Sequence, residues 1–264
     1  MATRPALPQG EDPLDARTLD AFLSSMGTDM VLVGGQALGF WMERFAIQYQ
    51  GAVISNDGDA LGGIQKARDI ATALQAALVI PDKRALTALV AQIRIPSRGG
   101  KVKNIDVLHL LFTVSGLRKS NEFTKQVILR SIEVQWRPKH FIRVMHPMDV
   151  LESRVHNAAG LLEHKGEHVL TQARWSIEVA RAAMLRVLRF PEKGDDRIAQ
   201  MVQAVYQLSH SQAGRRIHRE HGIEILDAIP AMEIRSADPS TEEQLLRVED
   251  AHAKRRRSLE SRSK

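Results

Sequence analysis

The sequence predicts an α+β fold: a mixed sheet with flanking helices over residues 12–146, then an α-helical part over 147–250. Three observations predict it. Short apolar runs of strand length alternate with segments of helical periodicity as far as His146. Gly-Gly pairs punctuate those runs where tight turns or hairpins are needed. From Pro147 onward only helical periodicity remains. The apolar and charged fractions, 44% and 26%, are those of an ordinary globular chain with enough material for a buried core.

Residues 1–11 carry Pro5, Pro8 and Gly10 and read as a flexible leader. Asp12-Pro13 suits an N-cap and first helical position, and Leu14, Leu19, Phe22 and Leu23 follow at helical spacing up to Gly27. Residues 30–33 form an apolar strand that runs into Gly34-Gly35 and then a helix through Ala37, Leu38, Phe40 and Trp41. A second strand is expected at 52–55, leading into Asn56-Asp57-Gly58-Asp59, and an amphipathic helix at 64–78. Strands at 89–95 and 102–111 flank Pro96-Ser97-Arg98-Gly99-Gly100-Lys101, a hairpin signal. Further strands are expected at 132–136 and 141–145. Helical periodicity then covers 148–163, 167–189, 196–212 and 214–229, with breaks at Gly166, 191–195 and Gly222. Residues 251–264 are basic and poor in apolar side chains, and read as a disordered tail.

Composition narrows the function classes. With no cysteine, disulfides and thiolate zinc sites are excluded, and a reducing, cytoplasmic location is expected. No run approaches the roughly 20 apolar residues of a membrane span, so no membrane partner is expected. The net charge of +6 is concentrated in the middle: 94–154 holds 12 Lys/Arg against 5 Asp/Glu, whereas 191–264 is balanced at 13 and 13. A basic middle suits a phosphate-bearing partner.

The chemistry is carried by an ordered set: strand, Gly34-Gly35, helix; then Asp57-x-Asp59; then Asp106 between Ile105 and Val107. Residues two apart on a strand share a face, so Asp57 and Asp59 are expected to point together. Adjacent carboxylates repel unless a cation lies between them, and hard oxygen donors favour Mg²⁺ or Mn²⁺. A carboxylate in an apolar strand interior needs a partner, so Asp106 completes the expected metal set of Asp57, Asp59 and Asp106. The Gly-Gly turn opening a helix offers backbone N–H groups to a triphosphate.

The runs Val31-Leu32-Val33-Gly34-Gly35-Gln36-Ala37-Leu38, Ser55-Asn56-Asp57-Gly58-Asp59-Ala60-Leu61-Gly62 and Asn104-Ile105-Asp106-Val107-Leu108-His109 resemble the three signature segments of the DNA polymerase β-type nucleotidyltransferases. Within that superfamily the layout is similar to the minimal nucleotidyltransferases, including abortive-infection toxins of the AbiEii-like group. His146-Pro147-Met148-Asp149-Val150-Leu151-Glu152-Ser153-Arg154 is similar to their first helix after the catalytic sheet. The resemblance spans about residues 28 to 185.

It implies a polymerase β-like N-terminal fold and transfer of NMP from an NTP, with release of pyrophosphate, to a tRNA or protein acceptor. It also implies a role as the toxin of a toxin–antitoxin module, with an antitoxin partner. Asp57, Asp59 and Asp106 would be the catalytic metal ligands. Gly34, Gly35 and Gln36 would hold the phosphates, and Arg154 stands nearest to a lysine that relatives carry in that helix. Gly58 and Ala60 are smaller than usual, and a downstream Lys-Asp pair is missing. Those departures motivate two other readings: a lapsed domain that binds RNA or protein, and a small-molecule (antibiotic) nucleotidyltransferase. His164-Lys165-Gly166-Glu167-His168 matches an inverted zinc-peptidase pattern, but Gly166 breaks the helix that such a site needs. Arg98, Lys101 and Lys103 on the hairpin are candidates to reach phosphates.

Overall fold

The computed structural model describes residues 10–48, 55–191 and 196–260. The leader expected at 1–9, the strand expected at 52–54, the break expected at 192–195 and the tail expected at 261–264 lie outside them. Among the described residues no helix is long and apolar enough to cross a membrane.

The chain is α+β. Its sheet has seven strands in the order β3-β4-β5-β2-β1-β7-β6. These are β1 (Val31–Leu32), β2 (Gly58–Leu61), β3 (Ala77–Val79), β4 (Leu89–Pro96), β5 (Val102–Leu108), β6 (Ile132–Arg137) and β7 (His140–Val144). The pairs β1·β7 and β2·β5 are parallel and the other four antiparallel, so the sheet is mixed as expected.

Helix α1 (Ala16–Met26) starts later than the sequence suggests. Asp15, not Asp12, caps it, accepting a 2.8 Å bond from the Thr18 N–H. Asp12 instead ties the chain to the β4–β5 hairpin, accepting from Ser97 Oγ at 2.7 Å and Lys101 Nζ at 3.1 Å. The hairpin turns where the Gly-Gly pair allows it, with φ of 68° at Gly99 and 75° at Gly100.

Helix α2 (Gly34–Arg44) follows β1 directly, and α3 (Ile64–Ala73) follows β2. The helix expected to reach 78 stops at Ala73. The chain turns at Gln75, with φ of 50°, and residues 77–79 join the sheet edge as β3. Local spacing fitted a helix there, and pairing with β4 overrode it. Helix α4 (Leu117–Arg130), between β5 and β6, was not anticipated. Its Phe123 and Val127 are buried against the sheet layer's core.

After β7 come α5 (Pro147–Gly160), α6 (Leu162–Lys165), α7 (His168–Arg189), α8 (Arg197–His210), α9 (Gln212–His221), α10 (Ala231–Ala237) and α11 (Glu242–Glu260). Their apolar faces form a second buried cluster, separate from that of the sheet and α1–α4. Helix α2 packs on α5 and α7 and joins the two layers. There the buried Trp41 indole donates a 2.7 Å bond to the Met145 carbonyl at the end of β7.

The disordered tail expected from 251 is corrected as far as 260. Those residues continue α11, with Leu245, Val248 and Ala251 buried. Arg255 pairs with Glu224 at 2.8 Å and donates to the Ser209 carbonyl at 2.9 Å. The basic run misled because its holding partners lie far back in the chain.

Candidate functional site

Sheet register brings the acids together. Asp59 on β2 lies opposite Asp106 on β5, which in turn lies opposite Gln92 on β4. Residues directly opposite in a sheet project to the same face, so the three form one lateral row. Gln92 Nε2 donates to Asp106 Oδ1 at 3.0 Å. Asp57 falls in the bend just before β2, not within the strand as expected, so strand alternation is not what orients it. Gln36 Nε2 holds that bend by donating to the Asp57 carbonyl at 3.2 Å and the Ser55 carbonyl at 3.4 Å. The Ser55 hydroxyl donates to the same Asp57 carbonyl at 3.0 Å.

The glycines are explained by close approach. A Cβ on Gly34 would stand 2.1 Å from Asp59 Oδ2, and its φ is +68°. A Cβ on Gly35 would stand 2.5 Å from that of Ser55. The two glycines therefore let the start of α2 press against the strand carrying Asp59 and the loop carrying Asp57. No side chain caps that helix start, which leaves its first-turn amides without an intrahelical acceptor. Gly58 has a packing reason. It is buried, and a Cβ there would sit 3.3 Å from Ile105 and 3.5 Å from Phe22, which fill the space a larger residue would take.

Two cations oppose the three acids. Arg154 on α5 is only 7% exposed and donates to Gln172 Oε1 at 3.1 Å and Ser153 Oγ at 3.0 Å. Burial pushes its guanidinium down to about 10, while the Asp59 charge draws it back up. The Arg154 charge in turn favours the ionised form of Asp59. Lys165 is exposed, at the end of α6, and its charge acts on Asp57, Asp59 and Asp106 alike. Lys165 was missed from the sequence because it sits in the broken His164–His168 segment. That same break at Gly166, with φ of 78°, separates the two histidines of the peptidase-like pattern onto α6 and α7. On the hairpin, Lys101 and Lys103 pair with Asp12 and Asp15 at 3.1 and 2.8 Å, so they hold the N-terminal segment in place.

All three carboxyls are held toward their neutral forms. Asp57 is raised to about 7, first by burial and then by the charges of Asp59, Asp106 and Glu11. Asp59 is raised to about 6 by burial and by Asp106, against Lys165 and Arg154. Asp106 is raised by burial, against the Gln92 bond and Lys165. Such a set favours whatever adds positive charge.

A divalent cation fits the donor chemistry: the oxygens are hard, and Asp57 Oδ1 is buried with no hydrogen-bond partner. Among the described residues no group of three or more His, Cys, Asp or Glu side chains is arranged to hold a metal ion as it stands.

No protein-family model matches this chain, and no curated protein matches it. A solved structure with some likeness is "Crystal structure of JHP933 from Helicobacter pylori". It is 11% identical and aligns over 95% of this chain and 100% of that one at a TM-score of 0.33, a likeness that carries no argument.

Proposed function

We propose that this protein is a divalent-cation-dependent nucleotidyltransferase that moves NMP from an NTP to a macromolecular acceptor. The observation that carries the reading is the opposition of Asp59 and Asp106 across β2 and β5, with Gly34 at the start of α2 pressed against Asp59. Mg²⁺ or Mn²⁺ held by Asp57, Asp59 and Asp106 would supply charge neutralisation at the transferring phosphorus. The amides of Gly34, Gly35 and Gln36, at the positive end of α2, would receive phosphate oxygens. Lys165 adds an exposed cation whose charge acts on the three acids, and the charge of the buried Arg154 acts on Asp59. Asp106, raised by burial, suits a base that takes the proton of the attacking hydroxyl. In that step the hydroxyl oxygen bonds to the α-phosphorus, the bond to the β-phosphate oxygen breaks, and pyrophosphate leaves.

Support for tRNA or protein as acceptor, and for a toxin paired with an antitoxin, is the sequence resemblance together with the basic stretch 94–154. The test is incubation with Mg²⁺ or Mn²⁺, each labelled NTP, and total RNA or cell lysate. Label transfer that disappears in Asp59→Asn and Asp106→Asn supports the enzyme. No transfer by the native protein under any of these conditions sinks it.

One observation favours a second reading, a lapsed domain that binds RNA or protein. Arg154 and Lys165 offset two of the three acidic charges without any metal, so the cluster has an internal counter-charge. Calorimetric titration with Mg²⁺ and a non-hydrolysable NTP separates the two, because a lapsed site takes up neither.

A further inference from the structure

A cleft of about 860 Å³ opens at the other end of α2, lined by residues of α2, β6, α7 and α8. The helix has 11 residues, so at about 1.5 Å rise per residue the cleft lies about 15 Å from the helix start that faces the acids. Among the described residues its lining carries four arginines, Arg44, Arg130, Arg186 and Arg197, and one acid, Glu133. Arg130 also pairs with the buried Asp149 at 3.3 Å, which fixes it in the wall. At the lip stands Phe190, 61% exposed, with the Arg186 guanidinium over its ring 5.7 Å from the centroid.

This combination is chemically specific. Arginines grouped around a concave site recognise phosphate through paired N–H donors. An exposed aromatic ring flanked by arginine offers a face on which a base can stack. The cleft's volume falls within the range of small-ligand sites, about 300–1,000 Å³. A wholly hydrophobic ligand would offer no counter-charge to Arg44 and Arg186, and a bare anion would leave Phe190 exposed to water.

We propose that this arginine-lined cleft binds a nucleoside phosphate, at a site separate from the aspartate cluster. The phosphate meets Arg44 and Arg186, and the base lies on Phe190. The unit comes either from a free nucleotide or from one residue of single-stranded RNA. The site stands on its own residues and is independent of any reaction at the aspartates.

The full chain in EDTA is titrated by calorimetry with AMP, ATP, tripolyphosphate and a short single-stranded RNA. Saturable binding of AMP and ATP is expected, unchanged in Asp59→Asn. Arg44→Glu with Arg186→Glu should weaken it at least about tenfold, given the strength of charge-assisted phosphate contacts. Phe190→Ala should weaken AMP and ATP about fivefold or more while leaving tripolyphosphate unchanged, as loss of base stacking requires. Tighter binding of the RNA than of AMP assigns the unit to a nucleic acid; equal or weaker binding assigns it to a free nucleotide. Circular dichroism checks the folding of the double variant, and Arg44→Gln with Arg186→Gln replaces it if the reversals unfold the chain. The proposal is overturned if no nucleotide saturates at millimolar concentration, if binding vanishes in Asp59→Asn, or if the arginine variants bind as well as the native protein. Equal effects of Phe190→Ala on tripolyphosphate and AMP overturn the base-stacking part and with it the nucleoside assignment.

Discussion

Replacing Asp57 by asparagine should make the metal-free protein more stable above neutral pH while removing its response to divalent cations. The carboxyl of Asp57 is raised from 3.8 to about 7, chiefly by burial and next by the Asp59 charge. For a raised carboxyl the fold favours the protonated form. Its contribution is therefore complete below about pH 4 and lost as pH rises through about 7. At about 1.4 kcal/mol per pH unit, the ionised group costs the fold at most about 4 kcal/mol at pH 8. Asparagine keeps the shape without the charge, but its amide needs a partner, so a net gain of about 2 kcal/mol is reasonable. In a chain of this size that is about 4–8 °C in Tm.

The assay is thermal melting of native and variant protein in EDTA at pH 5 and pH 8, repeated with Mg²⁺. The two should melt together at pH 5 and diverge at pH 8, the variant higher. Mg²⁺ should then raise the native protein alone, by about 2.7 kcal/mol at a hundred times its dissociation constant. Asp59, raised to about 6, and Glu152, raised to about 7, titrate in the same window. The difference between native and variant removes Glu152 from the comparison and reports Asp57 together with its coupling to Asp59. Parallel pH profiles for the two proteins, or an equal Mg²⁺ response, would refute the reasoning.

Three further outcomes are expected. Gly34→Ala places a Cβ 2.1 Å from Asp59 Oδ2 at a φ of +68°, so a loss of at least about 1–3 kcal/mol in denaturant melts should accompany loss of the Mg²⁺ response. Gly10→Ala, also at positive φ but with nothing within 4 Å, gives the backbone effect alone. Gly58→Val should destabilise by about 1–3 kcal/mol because Ile105 and Phe22 occupy the space; a variant as stable as the native protein would show that this packing account of Gly58 is mistaken. Arg255→Ala leaves the nearly buried Glu224 with less counter-charge, and should cost about 3 kcal/mol by urea unfolding. The exposed neighbours Arg256 and Arg257 should tolerate alanine within about 0.5 kcal/mol.

The sequence by itself determined what short-range chemistry dictates. The apolar run before Gly34-Gly35, the Gly-Gly hairpin at 99–100 and the switch to helices at Pro147 are each written in a few adjacent residues. So is Asp106 inside an apolar strand. Turn conformation, side-chain period and helix initiation are local properties.

Tertiary structure decided everything that depends on partners distant in the chain. Register sets Asp59 opposite Asp106, although 46 residues separate them, and only the folded sheet fixes which pairs face each other. Pairing with β4 turned residues 77–79 into an edge strand where spacing fitted a helix. The apolar positions of α4 became informative only once the sheet was there to bury them. The Lys165 charge acts on the three acids only once the chain is folded, and Arg255 is held by Glu224 and Ser209. Even Gly58, a weak strand residue on local grounds, follows from Phe22 and Ile105 filling its place. Burial and electrostatic fields act through space, so the residues that set them cannot be read from their neighbours in the chain.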